Sequence, residues 1–375
     1  MIYFVIFGIS ACISILSDYY IQKSHLGKKD VRVWFFAFIA ITVVSILNGI
    51  RDYSIGTDIQ VYGNSVFIYA AQSHSLTQFL DLCVNSIGMT EYGYALLNYI
   101  VARFSTSPHV FYLILGILTN SLVYWGITRM QKFSGIPLAW LTYLLVFYPS
   151  TLNLLRQSLA IAIIFVMCTY AFDKRYKLSV ILIILAYTMH HSAILGFYLL
   201  FFIWLLQRKQ DKKRHTFYLI IFSFLTASLY AIISWLNSTG YIQDKYSQYI
   251  TIPSESISLA NSILIRIPFI ILILFILANN STISLKQQIL YIFIIGEILL
   301  LPLQLISATA FRISLYFGIF KILVYPNVLK EVQGLTFTKN AIYIAFLLFY
   351  FIWQIIIQGS NEVYPFVIAN DLSLF

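Results

Sequence analysis

Apolar runs of about 15–20 residues, recurring along the 375-residue chain and parted by short basic clusters, restrict the fold more than any other feature. Runs of that length suit helices crossing the roughly 30 Å hydrocarbon layer of a bilayer, whereas barrel strands alternate over about 9–11 residues. The chain is 60% hydrophobic and only 10% charged, against about 25% charged in soluble domains. A water-soluble fold has too much surface to hide that much apolar area. The expectation is an all-α, polytopic integral membrane protein, one membrane domain over residues 1–375. Residues 1–17 lack the basic start and small-residue cleavage site of a signal peptide and are read as a retained first span. Cys12, Cys83 and Cys168 are odd in number and scattered, which implies neither a disulfide framework nor a metal cluster.

Twelve crossings are expected, at residues 1–17, 32–50, 109–128, 137–150, 156–172, 178–190, 192–206, 216–236, 261–279, 289–306, 308–323 and 340–358. Alternate connections collect the positive charge. Lys23, Lys28, Lys29 and Arg32 come first, then Arg129 and Lys132, then Lys174, Arg175 and Lys177. Arg208, Lys209, Lys212, Lys213 and Arg214 follow, with Lys286, Lys321, Lys330 and Lys339 completing the set. By the positive-inside rule these 18 of 24 Lys and Arg residues mark the cytoplasmic side. The net charge of +10 therefore reflects orientation rather than nucleic-acid binding. Both termini then face outward, and the long outward connections are 51–108 and 237–260. Residues 91–104 lie along the outer face, cross, or form the short end of a re-entrant segment, and 178–206 is either one kinked helix or two halves broken at His190-His191-Ser192.

Arg51, Arg103, Arg156, Lys245, Arg266 and Arg312 depart from the pattern, four of them on or near the outer side. A cation placed against the orientation rule needs a local reason, and an anion is one. In Arg51-Asp52-Tyr53-Ser54-Ile55-Gly56-Thr57-Asp58, Gly56 permits a tight turn and Thr57 and Asp58 can cap a following helix. The plain reading is an interfacial turn with an Arg–Asp pair; the functional one has Arg51 on a phosphoryl oxygen and Asp58 or Glu91 meeting a sugar hydroxyl. Arg156, in Asn153-Leu154-Leu155-Arg156-Gln157, is either a snorkelling helix end or a rigid fork for phosphate, with the Gln157 amide beside it. No acidic residue lies between Glu91 and Asp173, which weakens a local ion pair. His190 is either a hydrogen-bonded structural group or a proton shuttle and diphosphate ligand. Arg312 follows Pro302 and the small stretch Ser307-Ala308-Thr309-Ala310 and should stand at a span's outer mouth. Tyr241, Tyr246 and Tyr249 read better as interfacial aromatics than as sugar platforms. Glu297, inside an apolar run, needs a cation that the sequence does not identify. Walker, dinucleotide, HExxH and G-x-S-x-G signatures are absent, so no cofactor or metal is expected.

Taken in order, Arg51-Asp52…Gly56-Thr57-Asp58, Glu91-Tyr92-Gly93, Asn153-Leu154-Leu155-Arg156-Gln157 and His190-His191-Ser192-Ala193 resemble the EpsG family of Wzy-like polymerases of exopolysaccharide, capsule and O-antigen. Arg312 with Tyr316, and Asn361-Glu362-Val363-Tyr364-Pro365-Phe366, are similar to that family's C-terminal features. The resemblance implies a metal-independent, GT-C-type glycosyltransferase of the bacterial cytoplasmic membrane, with its site facing the periplasm or exterior. It would move a growing glycan from one undecaprenyl diphosphate to a hydroxyl of the next lipid-linked repeat unit. A flippase and a chain-length regulator would be its partners. The family's single His before x-Ser-Ala falls on His190.

On that reading the departing lipid diphosphate develops charge where water is scarce, and fixed arginines lower the barrier. Arg156 and Arg312 would hold the donor diphosphate, Gln157 would assist, and Arg51 would help there or hold the acceptor. His190 completes the clamp or takes the proton; Asp58 and Glu91 compete for that second role. The rival readings are a lipid-linked oligosaccharide flippase, which needs cations accessible from both sides, and an outward-facing O-acyltransferase built on a membrane histidine.

Overall fold

The structure, a computed structural model, describes residues 2–25, 27–208, 212–239, 259–279, 283–305, 311–332 and 334–370. It is helical throughout apart from turns and one isolated bridge between Arg51 and Ile368. Among the described residues six helices are long and apolar enough to cross a membrane: Ile2–Lys23, Val31–Ile50, Pro108–Arg129, Leu155–Phe172, Leu285–Leu305 and Thr336–Ile357. A seventh is formed if Arg312–Gly318 and Lys321–Glu331, bent by 41°, count as one span. The chain is thus a multi-pass membrane protein, with six to seven membrane-length helices where the sequence suggested twelve crossings. Four further expected spans are the shorter apolar helices Tyr176–Met189, His191–Leu206, Phe217–Leu229 and Ile267–Leu277. The expected span at 137–150 is a compound helix, Ile136–Thr142 continuing through a π-turn into Tyr148–Asn153. Short pieces arise because helices inside a bundle can end against protein rather than reach lipid headgroups.

Leu155–Phe172 is the central helix, with every residue buried except Arg156 and Tyr170. It packs against Pro108–Arg129, Tyr176–Met189 and Leu195–Leu206. On the first of these, Pro108–Arg129 packs with Val31–Ile50, which packs with Ile2–Lys23. Outer faces carry Phe35, Phe38, Ile181, Ile184, Phe275 and Phe349, all exposed. In lipid those faces need no cover, so association depends on close packing and interhelical hydrogen bonds. Trp140 Nε1 to Ser10 Oγ (2.9 Å) and Tyr148 OH to Asn48 Oδ1 (2.7 Å) are two such bonds.

The connection at 51–108 is itself ordered: helices Asn64–Gln72, Leu76–Ile87 and Tyr92–Val101 fold over one end of the bundle. Residues 92–101 form a ten-residue helix, too short to cross. Arg103 donates to the carbonyls of Ser73 (3.0 Å) and Ala70, closing the end of Asn64–Gln72. Tyr176–Met189 does break at His190, which is extended, before a short 3₁₀ turn over His191–Ile194. Lys321 is no orientation marker; it is buried in an ion cluster with Glu297 and Arg266. Residues 240–258, with Asp244, Lys245, Glu255 and the three tyrosines, lie outside the described residues, as does Ser307-Ala308-Thr309-Ala310.

Candidate functional site

A helix break organises one end of the bundle. Tyr148–Asn153 stops at Leu154 (φ −100°, ψ 83°), and Leu155–Phe172 begins immediately after it. A break inside a membrane bundle strands carbonyls on one side and amides on the other. Residues 51–58 supply both sets of partners. The Arg51 guanidinium donates to the Leu152 carbonyl, and Thr57 N–H donates to Asn153 Oδ1 (2.9 Å). Asp58 Oδ2 accepts from Leu155 N–H (3.1 Å), placing a carboxylate at the positive end of the central helix. Asp58 therefore caps a helix 97 residues away, not the one that follows it. Gly56 makes the approach possible: φ is +89°, and a β-carbon there would lie 2.5 Å from the Leu152 carbonyl oxygen.

The C-terminal segment clips this loop in place. Gly56 N–H donates to the Glu362 carbonyl (3.2 Å), Thr57 Oγ1 donates to the Glu362 carboxylate, and Asp52 N–H donates to the Val367 carbonyl (2.9 Å). Ala369 N–H closes the same edge on the Ile50 carbonyl (2.9 Å). Hydrogen bonds from Ser54 hold the exposed Asp52 carboxyl below the usual carboxylate range.

Above the break stand two arginines with carboxylate partners. Arg156 Nη1 meets Glu91 Oε2 at 2.9 Å, and Arg312 Nη1 lies 3.6 Å from Asp58 Oδ1. Tyr62 ties them together, its ring 4.0 Å beneath the Arg156 guanidinium and its hydroxyl donating to Asp58 Oδ2 (2.6 Å). Gln157 Nε2 donates to the Arg312 carbonyl (3.0 Å), binding the central helix to the bent Arg312–Glu331 pair. The Arg156 and Arg312 side chains remain 16% and 20% exposed.

His190 belongs to an adjoining chain of hydroxyls. Its Nδ1 takes the Ser192 hydroxyl (2.6 Å) and amide (3.2 Å), and Ser192 Oγ meets Tyr316 OH at 2.9 Å. An amide donating to Nδ1 places the ring proton of the neutral imidazole on Nε2. Two contacts dock the Glu91 segment beside this turn: Thr90 Oγ1 to His191 Nε2 (2.8 Å), and Gly93, whose β-carbon would sit 2.3 Å from Thr188 Oγ1.

A family model described as the EpsG family matches residues 33–367. The chain belongs to the EpsG family. No curated protein and no solved structure matches it.

In this EpsG-family chain Arg156, Glu91, Asp58 and Arg312 form one linked set, with His190 reached through Tyr316 on the Arg312 turn. Arg51 is different: fully buried, held on the Leu152 carbonyl, its guanidinium 5.1 Å from the Tyr112 ring centre. Among the described residues its Nε and Nη2 meet no hydrogen-bond partner, and burial pushes its pKa down. Gln157, 3% exposed, donates its amide Nε2 to the Arg312 carbonyl. Tyr62, Asn153, Ser192 and Glu362 were not anticipated; Asn153, Ser192 and Glu362 lie within the quoted motifs, while nothing local marks Tyr62. Among the described residues no three His, Cys, Asp or Glu gather as a metal-binding group.

Proposed function

We propose that this protein is a polysaccharide polymerase of the GT-C type. It transfers a growing glycan from undecaprenyl diphosphate to a hydroxyl of another undecaprenyl-diphosphate-linked repeat unit. The observation that carries the reading is the pair of part-exposed arginines, Arg156 and Arg312, joined through Tyr62 and Asp58 at the start of the central helix. Family membership supports the same activity. A diphosphate arriving there meets two forked donors. The orientation set by the basic connections puts this end outside the bacterial cytoplasmic membrane, where a flippase would deliver substrate and a chain-length regulator would act.

In the reaction the acceptor oxygen bonds to the anomeric carbon while the bond to the diphosphate oxygen breaks. The electron pair leaves with the lipid diphosphate, whose growing charge Arg156 and Arg312 stabilise more than they do the bound donor. Glu91 takes the acceptor's proton. It pairs with Arg156 and is released as the diphosphate takes its place on the guanidinium. Asp58 stays on the helix cap and on Tyr62, which suits it to positioning. His190, with its proton on Nε2, donates to a diphosphate or sugar oxygen, and Arg51 holds the break that aims Arg156.

The deciding experiment supplies the purified full-length protein with a defined undecaprenyl-diphosphate repeat unit, with and without chelator. A ladder of lengthening products that survives chelation is expected, and it should vanish with Arg156→Ala or Arg312→Ala. Transbilayer movement of single repeats without any ladder would point to a flippase. Loss of acetyl groups at unchanged chain length in cells lacking the protein would point to an O-acyltransferase.

A further inference from the structure

The opposite end of the bundle holds a second cationic cluster with a different construction. Lys28 precedes Val31–Ile50 where Arg51 follows it, and Asp173 ends the central helix that Arg156 begins. Here a cavity of about 560 Å³ is lined by Lys28, Arg129, Lys132, Lys286 and Lys330, with Glu331 as its one carboxylate. The cations come from separate segments: the 27–29 turn, the end of Pro108–Arg129, the Gln131–Ser134 turn, and the neighbouring ends of Leu285–Leu300 and Lys321–Glu331.

Orientation alone asks only that basic residues lie on one side; it gives no reason for them to converge. Convergence has a cost. Burial, then repulsion from Arg129 and Lys132, pushes the Lys28 pKa down against the pull of Asp173. Internal carboxylates offset part of this: Asp173 attracts Lys28 and Lys286, and Asp18 attracts Lys330. Asp173 is itself paired with Arg129 at 2.5 Å, while the Lys28 and Lys330 ammonium groups donate to backbone carbonyls, those of Thr128 (2.6 Å) and Phe133 (3.0 Å). Glu331 is itself taken by Gln287 Nε2 at 2.9 Å. Among the described residues no carboxylate forms a salt bridge with Lys28, Lys132, Lys286 or Lys330.

We infer that this cavity binds a phosphate-bearing anion, supplied by the headgroup of an anionic phospholipid. Its volume lies within the range of small-ligand sites, roughly 300–1,000 Å³. Basic pockets between helix ends at a membrane surface suit such headgroups, and bound phosphate would relieve the repulsion among the lysines. The occupant would tie together the ends of helices that pass on to the Arg51, Arg156 and Arg312 end.

The test places the full-length protein in phosphatidylcholine nanodiscs with increasing cardiolipin, and in a second arm adds inorganic pyrophosphate to phosphatidylcholine discs alone. Native mass spectrometry reads retained lipid and thermal unfolding reads stabilisation. Saturable cardiolipin retention with a rising melting temperature is expected, weakened roughly tenfold or more in the Lys132→Gln/Lys286→Gln double variant and kept by Lys132→Arg/Lys286→Arg. Lys132→Glu alone, at an exposed position, serves if the double variant does not fold. Stabilisation by pyrophosphate but not cardiolipin supports the anion site and assigns its phosphate to a soluble source. An unchanged response in the neutral variants, or no response to either anion, overturns the proposal.

Discussion

Two of the arginine–carboxylate clusters among the described residues differ in the exposure of their arginines. In the sealed set, Glu297 Oε1 accepts from Arg266 (3.1 and 3.0 Å) and from Lys321 (2.7 Å), with side chains only 1–8% exposed. In the open set, Arg156–Glu91 and Arg312–Asp58, the arginines are 16–20% exposed. A sealed pair has no other partner to exchange with, so it serves to hold helices together. An open pair can trade its carboxylate for an incoming anion. Gly318 fits the sealed reading, since a β-carbon there would lie 3.1 Å from Glu297 Oε1.

The sharpest way to break that contrast is to delete charges from each set. Glu297→Ala leaves two buried cations unpaired and should cost about 3–5 kcal/mol, read as a fall in melting temperature of the purified protein. Wild-type stability would mean the sealed cluster holds nothing. Arg156→Ala should instead lower polymerisation by roughly 10²–10³-fold while leaving melting near wild type; a large drop in melting with intact turnover would reverse the two roles. Arg51→Ala tests the intermediate case of a buried arginine that serves the open site indirectly. Losing a charged donor from the Leu152 carbonyl should cost on the order of 2–3 kcal/mol, with Arg51→Lys rescuing it only in part because the fork is lost. Thr57→Val, which removes the hydrogen bond to Glu362, is the mildest: about 1 kcal/mol, and a local rise in amide exchange over residues 51–58.

The members of the linked charge cluster were legible in part. Arg156, Arg312, Glu91 and Asp58 stand out because a charge at the edge of an apolar run demands a partner, and the break at His190 shows in the two short apolar halves around it. The pairings were not legible. Glu91 and Arg156 are 65 residues apart, and nothing in either segment selects the other. Arg51 and Arg156 occupy similar boundaries in the sequence, yet one is enclosed and the other open. Lys321 reads as a cytoplasmic marker because hydropathy cannot tell a solvated lysine from one neutralised by Glu297. The crossing count suffered for a related reason: an apolar run facing protein need not be long enough to span lipid.

From its sequence alone this chain is a helical membrane protein of many apolar segments, with cations and carboxylates placed where an unpaired charge is expensive. Those outcomes follow from local hydrophobicity and from the cost of charge in hydrocarbon, and both act residue by residue. Only the tertiary structure decided which ions meet, which helix break residues 51–58 would satisfy, and which arginines stay open. A stranded amide, carbonyl or charge can be satisfied by water, by an anion or by a distant side chain, and packing chooses among them.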